Sequence, residues 1–273
     1  MNCVHQGSVK DLFLDSSKPD VIYFRFSDRV SLFDFGALPD RIPHRGQKLH
    51  LMAQHFFELF GRNGLSTAYV KEDSSEKNGL AMRMAKHPLI PETKNATLEF
   101  IPLELIFRWG CPKGSSLIKR GLAKAGERFD SPMLEFSTKI EDQDRMLSEE
   151  EAKKIVLDSI GEGLAFEKIS QYLSDAANVL KVYFKGLGFE LWDGKIECAW
   201  DPEKNEIVLV DAITIDELRL SIKGLESVPL SKELLRMWYS QTTWSHHVKR
   251  LRKEDPEQWR ERLDPVPRLG DWR

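Results

Sequence analysis

One apolar stripe runs the length of Phe166 to Leu187: Ile169, Leu173, Ala177, Leu180 and Phe184 recur at near-helical intervals, with Gly188 beyond them. This is the signature of a long amphipathic helix ended by glycine. The period then changes. Short apolar runs, Phe189 to Trp192, Lys195 to Trp200 and Glu206 to Val210, are separated by Asp193-Gly194 and by Asp201-Pro202-Glu203-Lys204-Asn205. They predict an antiparallel meander with Asp-Gly as its hairpin turn, Glu197 inside one strand and Asp211 at the end of the next. Just upstream, Ser148 and Glu151 have capping-box spacing and open a predicted helix to about Ile160.

The first half reads differently. Val9 to Leu14 and Val21 to Phe26 are short, apolar and β-branched or aromatic, split by the turn-rich Asp15 to Asp20. Leu49, Met52, Ala53, Phe56, Phe57 and Phe60 keep a helical rhythm from Gln47, with Gly61 as the expected stop. Leu98 to Arg108 resembles one buried strand. A last helix is expected over Ser231 to Ser240, and the charged tail from Lys249 reads as a solvated segment. Strands and helices are partly segregated, so the predicted class is α+β rather than a doubly wound parallel sheet. Neither a Rossmann glycine fingerprint nor a P-loop is present.

Bulk properties narrow the function. The 273 residues are 41% hydrophobic, enough for one large core or two smaller ones. No window reaches the roughly 18 uninterrupted apolar residues of a membrane span. Met1 to Asp11 carries polar groups where a secretory leader is apolar. Cys3, Cys111 and Cys198 are widely spaced and suggest neither disulfide framework nor zinc site. The expectation is a soluble, cytoplasmic protein. A net charge of −3 offers no global basic field for nucleic acid, while local cations can still hold a small anion.

Five clusters could carry chemistry. In Gly7-Ser8-Val9-Lys10 a glycine next to a strand lets backbone approach a phosphate, although a plain turn is the simpler local reading. Asp28-Arg29-Val30-Ser31-Leu32-Phe33-Asp34, followed by Ile42 to Gly46, interleaves charge with aromatics, and buried charges need partners. Arg108, with Gly114-Ser115-Ser116 beyond it, presents a fork suited to carboxylate or phosphate. Ser137-Thr138-Lys139 precedes Glu141, Asp142 and Asp144. Lys195 and Glu197 point to one strand face, and Glu197 with Asp211 could share Mg²⁺; an in-sheet lysine–glutamate pair is the alternative.

In this order the clusters resemble the SAICAR synthetase family, over roughly Gly7 to Trp244. Gly7 to Phe13 is similar to its G-K-x-K/R-D/E-x-Y/F opening, Asp28 to Asp34 to D-R-I-S-A-F-D, and Ile42 to Gly46 to I-P-G-K-G. Pro102 to Arg108 resembles P-L/V-E-x-V/I-x-R. Ser137-Thr138-Lys139 with Asp142 and Asp144 resembles S-T-K and D-H-D. Lys195-Ile196-Glu197 matches K-x-E, and Asp211 to Arg219 resembles D-E-x-x-S/T-P-D-x-x-R with one position fewer. Ser231-Lys232 with Arg236 is similar to the terminal helix.

The resemblance implies a β-rich nucleotide-binding lobe over 1–105 and a larger α+β lobe over 106–273, with the active site between them. It also implies an ATP- and Mg²⁺-dependent ligase joining L-aspartate to an imidazole ribonucleotide carboxylate through an acyl phosphate. Carried over by position, Gly7, Ser8, Lys10 and Lys195 contact the ATP phosphates and Glu104 the adenine edge. Glu197 and Asp211 hold Mg²⁺. Arg108, Ser115, Asp216 and Arg219 bind the imidazole ribonucleotide, and Lys139, Asp144 and Lys195 serve catalysis. The expected partners are small molecules, with a homo-oligomer as the default assembly.

Several positions depart from the family pattern. Ser8 stands for lysine, Ala212 for glutamate, Ile215 for proline, and His44-Arg45 for Gly-Lys. Arg108 to Gly114 is one residue longer, which leaves the register of Ser115 and Ser116 open. A same-fold amide ligase with another carboxylate or amine is therefore one competing reading. A nucleotide-binding regulator without catalysis is the other; Ser8 and Ala212 favour it, and Glu197, Asp211 and Lys139 oppose it.

Overall fold

A computed structural model describes residues 1–33, 35–77, 79–141, 144–230 and 232–268, except the side chains of Glu226, Ser227 and Pro229. Asp34, Asp142 and Ser231, quoted in the motifs above, lie outside the described residues.

The N-terminal strands form a five-stranded antiparallel sheet in the order Asn2–Gln6, Lys10–Leu14, Val21–Phe26, Gly79–Arg83, Tyr69–Ser75. The helix Arg45–Arg62 covers one face, burying Phe56, Phe57 and Phe60. Phe57 stacks on Tyr69 with ring centroids 5.3 Å apart. Gly61 does not stop this helix, because backbone bonds from Asn63 to Leu59 and Phe60 carry the turn one step further.

A six-stranded sheet follows, ordered Met146–Leu147, Arg128–Thr138, Leu103–Gly110, Phe189–Ile196, Leu218–Ile222, Leu225–Pro229. The predicted stripe is realised in the helix Ala165–Gly186, which packs on this sheet with Leu173, Ala177 and Leu180 fully buried. The indole N–H of Trp109 donates to Ala177 O at 3.1 Å. Ser148 and Glu151 make both capping-box bonds at the start of Glu149–Ile160. Phe56 and Phe184, 5.7 Å apart, join the two long helices, so one hydrophobic core runs through both sheets. Among the described residues no helix is long and apolar enough to cross a membrane.

Three further expectations are overturned. Leu98 to Arg108 is not one strand: Leu98–Phe100 pairs with Cys198–Asp201 in a four-stranded sheet, and Leu103–Gly110 joins the six-stranded one. The break falls at Ile101-Pro102, where proline has no N–H to give a ladder. Asp193-Gly194 is not a hairpin turn either, but lies inside the strand Phe189–Ile196. The tail is no solvated segment: Leu251 and Trp259 are buried with Tyr239, Trp244 and Val248 in a second core against Val30 and Leu32.

Gly194 is there for closeness rather than for turning. A Cβ at this position would lie 2.5 Å from Phe107 Cζ and 2.6 Å from Leu218 Cδ2, on the two flanking strands. Both side chains are buried and have little room to yield. Gly194→Ala is expected to destabilise the protein by about 1–3 kcal/mol, read as a lower urea midpoint at unchanged slope.

Candidate functional site

The five-, six- and four-stranded sheets all contribute to the wall of a cavity of about 450 Å³, within the range of small-molecule sites. One end is apolar, with Leu12, Ile22, Phe24, Met84, Ile90 and Phe100; the other carries Lys10, Lys139, Lys195, Glu197 and Asp211.

The glycine turn forms part of the polar rim. Gly7 N–H donates to Lys10 O at 3.0 Å, and a Cβ on Gly7 would sit 2.5 Å from that oxygen. No side chain fits there. Arg29 pairs with Asp11 and donates to Gly7 O at 2.9 Å, while the Ser27 N–H and hydroxyl both donate to Val9 O. The loop is therefore held from behind, which leaves Ser8 and Lys10 on the cavity wall. Lys10 reaches across to pair with Asp211, 201 residues away.

Glu197 is not inside a strand. It occupies the break between Phe189–Ile196 and Cys198–Asp201, where the chain passes from the six-stranded to the four-stranded sheet. Val210 N–H donates to Glu197 O at 3.0 Å, so Glu197 and Asp211 sit side by side through their backbones. Lys139 Nζ bridges Glu197 Oε1 at 2.7 Å and Glu104 Oε1 at 3.3 Å, and Lys195 also pairs with Glu104. Burial works against the Lys139 charge, but Glu197 and Glu104 outweigh it and hold this lysine above its ordinary pKa. Burial likewise opposes ionisation of Glu197, yet Lys139 and Lys10 keep its carboxyl below the usual range. Both groups are thus charged at neutral pH.

The oxygen donors Glu197 and Asp211 suit a hard divalent cation. Among the described residues no cluster of three or more His, Cys, Asp or Glu is placed to hold a metal. Two carboxylates fit an ion that takes its other oxygens from a bound phosphate and water.

The remaining predicted residues divide. Asp216 lines the cavity and pairs with Arg45 and, at 3.4 Å, with Lys232. Glu104, Arg108, Ser115, Arg219 and Asp144 are not on its wall. Glu104 is 5% exposed and lies beneath the two lysines. Arg108 is equally buried: Nε binds Glu135, Nη1 binds Asp193 at 2.9 Å and Nη2 donates to Ser116 Oγ at 3.3 Å. Arg219 pairs with Asp193 as well, through Nε at 2.7 Å. Ser115 is buried and caps the short helix Ser116–Lys119, accepting from Leu117 N–H. Asp144 is exposed, on the loop before Met146–Leu147.

Two cavity residues escaped the motif reading. His87 closes the apolar end, its ring 4.6 Å from Phe100. The Leu89 amide donates to His87 Nδ1 at 3.2 Å, and desolvation lowers the imidazole pKa. The ring is therefore neutral, with its proton on Nε2. The only sequence signal was the His87-Pro88 and Ile90-Pro91 punctuation of a turn. The other residue is Glu217, which sits in the Asp211 to Arg219 run at a position the motif leaves unspecified.

Comparison with known proteins completes the description. The sequence model of the SAICAR synthetase family matches residues 3–251. A provisionally named phosphoribosylaminoimidazole-succinocarboxamide synthase of Archaeoglobus fulgidus is 36% identical, covering 97% of this chain and 88% of its own length. The phosphoribosylaminoimidazole-succinocarboxamide synthase of Thermoplasma acidophilum is 28% identical over 89% of this chain and 84% of its own. Among solved structures, a SAICAR synthetase in complex with ADP superposes at TM-score 0.70, with 22% identity and 97% and 100% of the two chains covered. The Saccharomyces cerevisiae SAICAR synthase complexed with SAICAR gives 0.68, with 22% identity over 98% and 96%. The structural matches establish the α+β fold.

Proposed function

The chain belongs to the SAICAR synthetase family, and from that premise we propose that it condenses L-aspartate with 5-amino-1-(5-phospho-D-ribosyl)imidazole-4-carboxylate, converting ATP to ADP and phosphate. The observation that carries this reading is the meeting of the two halves of the chain at one end of the cleft. There Lys10, behind the glycine turn of the first half, pairs with Asp211 of the second, where Lys139 pairs with Glu197.

A carboxylate is a poor electrophile, so amide formation needs a leaving group. Transfer of the ATP γ-phosphoryl group supplies one as an acyl phosphate; the amine then attacks and phosphate departs. Such chemistry is mostly positioning and charge neutralisation. In this reading the apolar end of the cleft, on the 1–105 lobe, holds the base, beside His87. Gly7, Ser8 and Lys10 receive the phosphates. Lys139 and Lys195 steady the transferring charge, and Glu104 positions these two lysines rather than touching adenine. Glu197 and Asp211 are the residues that would hold Mg²⁺, which when bound neutralises charge on the phosphoryl group.

On the 106–273 lobe, Asp216 and Arg219 remain assigned to the ribonucleotide. Arg108 and Ser115 act by fixing Arg219 and the adjoining loop. Asp144 reaches the substrate carboxylate only if its exposed loop folds inward on binding. We read the protein as cytoplasmic, and as an assembly of identical subunits.

ADP release tests the reading. With ATP and Mg²⁺, the imidazole carboxylate and L-aspartate are supplied singly and then together. Turnover with both, yielding the succinocarboxamide, is expected. Tight nucleotide binding without turnover would instead point to another carboxylate or amine, and failure to bind ATP would reject the ligase reading.

A further inference from the structure

Glu217 lies between Asp211 and the strand Leu218–Ile222, and it lines the same cavity. Its side chain is anchored at one oxygen. Oε2 accepts from the Thr214 amide at 2.8 Å and from the Thr214 hydroxyl at 2.7 Å, and Thr214 is itself 2% exposed. The backbone is fixed as well, since Glu217 O accepts from Lys195 N–H at 3.1 Å.

The other carboxylates on the cavity wall are committed to cations: Glu197 to Lys139, Asp211 to Lys10, and Asp216 to Arg45 and Lys232. Among the described residues Glu217 enters no ion pair, and Oε1 accepts no hydrogen bond. The charged groups around it are Asp216 on its own segment, Lys232 on the helix Lys232–Tyr239, and Lys10 across the cleft. An anchored carboxylate with one oxygen available, in a cleft with its neighbours already neutralised, is suited to receive a small cation.

The amino-acid substrate brings one. Its amine is an ammonium at neutral pH and cannot attack until a proton leaves. We propose that Glu217 Oε1 receives this ammonium and takes its proton, delivering the amine to the activated carboxylate. The assignment rests on the acyl-phosphate reading above. The first proton passes from nitrogen to Glu217. The nitrogen lone pair then forms the C–N bond, and the C–O bond to the phosphoryl group breaks with its electron pair on oxygen. The departing phosphate takes the second nitrogen proton and leaves as hydrogenphosphate. Burial and the adjacent Asp216 hold the Glu217 carboxyl above its ordinary pKa, which favours proton acceptance.

Hydroxylamine separates this role from others, because it is neutral near pH 7 and needs no proton removed before attack. Full-length wild type and Glu217→Gln are assayed with ATP, Mg²⁺ and the imidazole carboxylate, adding either L-aspartate or hydroxylamine. Glutamine keeps the Thr214 anchor. The expected result is a roughly 10²–10³-fold loss of kcat with aspartate and wild-type hydroxamate formation and ADP release with hydroxylamine. Wild-type turnover of Glu217→Gln with aspartate overturns the assignment. So does a parallel loss with both nucleophiles accompanied by a raised Mg²⁺ requirement, which marks a metal or nucleotide ligand. If wild type itself releases no ADP with either nucleophile, the acyl-phosphate reading fails and the Glu217 role falls with it.

Discussion

Replacing Glu197 by glutamine is expected to lower kcat by about a thousandfold or more, near 4 kcal/mol of transition-state stabilisation, with little change in stability. The two effects separate because the residue acts through two different groups. Its backbone carbonyl accepts from Val210 N–H and holds the link between the two sheets, and the substitution leaves that bond intact. Its carboxylate faces the cavity, where it holds Lys139 and stands beside Asp211. Glutamine preserves shape and one acceptor but removes the charge. In the proposed site a cation held by two protein carboxylates would then have one, and Lys139 is left with Glu104 as its anionic partner. Single preorganised electrostatic groups are worth about 10²–10³ in rate, and this change disturbs two of them. Glu104 remains to compensate the lysine, so the thermal midpoint should hold. Single-turnover ADP release together with a thermal melt tests both halves. Wild-type kcat in the variant would remove Glu197 from the metal-holding set, and a collapsed melting curve would mean its role is structural.

How far the site could be read in advance depended on where each residue's partner lies. Lys10, Lys139, Lys195, Glu197 and Asp211 stood in local motifs, and all five line the cavity. Helices were legible from period and caps: the stripe from Ile169 to Phe184 and the Ser148–Glu151 box lie in the helices they predicted. Asp193-Gly194 misled because its local turn propensity is real, whereas what decides its place is distant. Gly194 is squeezed between Phe107 and Leu218, and Asp193 between two arginines. The tail hid Leu251 and Trp259 among its charges, and they become core only by packing with Tyr239, Trp244 and Val248 against the N-terminal Val30 and Leu32. The predicted site residues that lie off the cavity wall follow the same rule. Glu104 is defined by Lys139 and Lys195, and Arg108 by Glu135 and Asp193, partners 27 to 91 residues away. Motif position identified the side chain without saying which way its charge was already committed.

Those commitments make Asp193 the residue whose loss should damage the fold most. It occupies a central strand and lies opposite Arg108 on one neighbouring strand and Arg219 on the other. The residue is 5% exposed, and each carboxylate oxygen is used: Oδ2 pairs with Arg108 and Arg219, and Oδ1 accepts from Arg219 Nε. Arg108 retains Glu135 if Asp193 is removed, but Glu135 is already shared with Arg120. For Arg219, Asp193 is the foremost of the groups that hold its charge against the pull of burial, ahead of Glu233. Asp193→Ala therefore leaves two guanidinium groups facing a vacated site between packed strands. Breaking a buried pair from one side costs about 3–5 kcal/mol, because the surviving charge is stranded. The expected loss of unfolding free energy is in that range, measured in urea at constant slope. Asp193→Asn should cost less, since the amide oxygen can still accept from one arginine. Adding Arg219→Met to Asp193→Ala should recover part of the loss, because it removes a stranded cation and keeps apolar bulk. If Asp193→Ala costs under about 1 kcal/mol, the level of an exposed pair, or if the second change deepens the damage, the sheet is not held by this cross-strand triad.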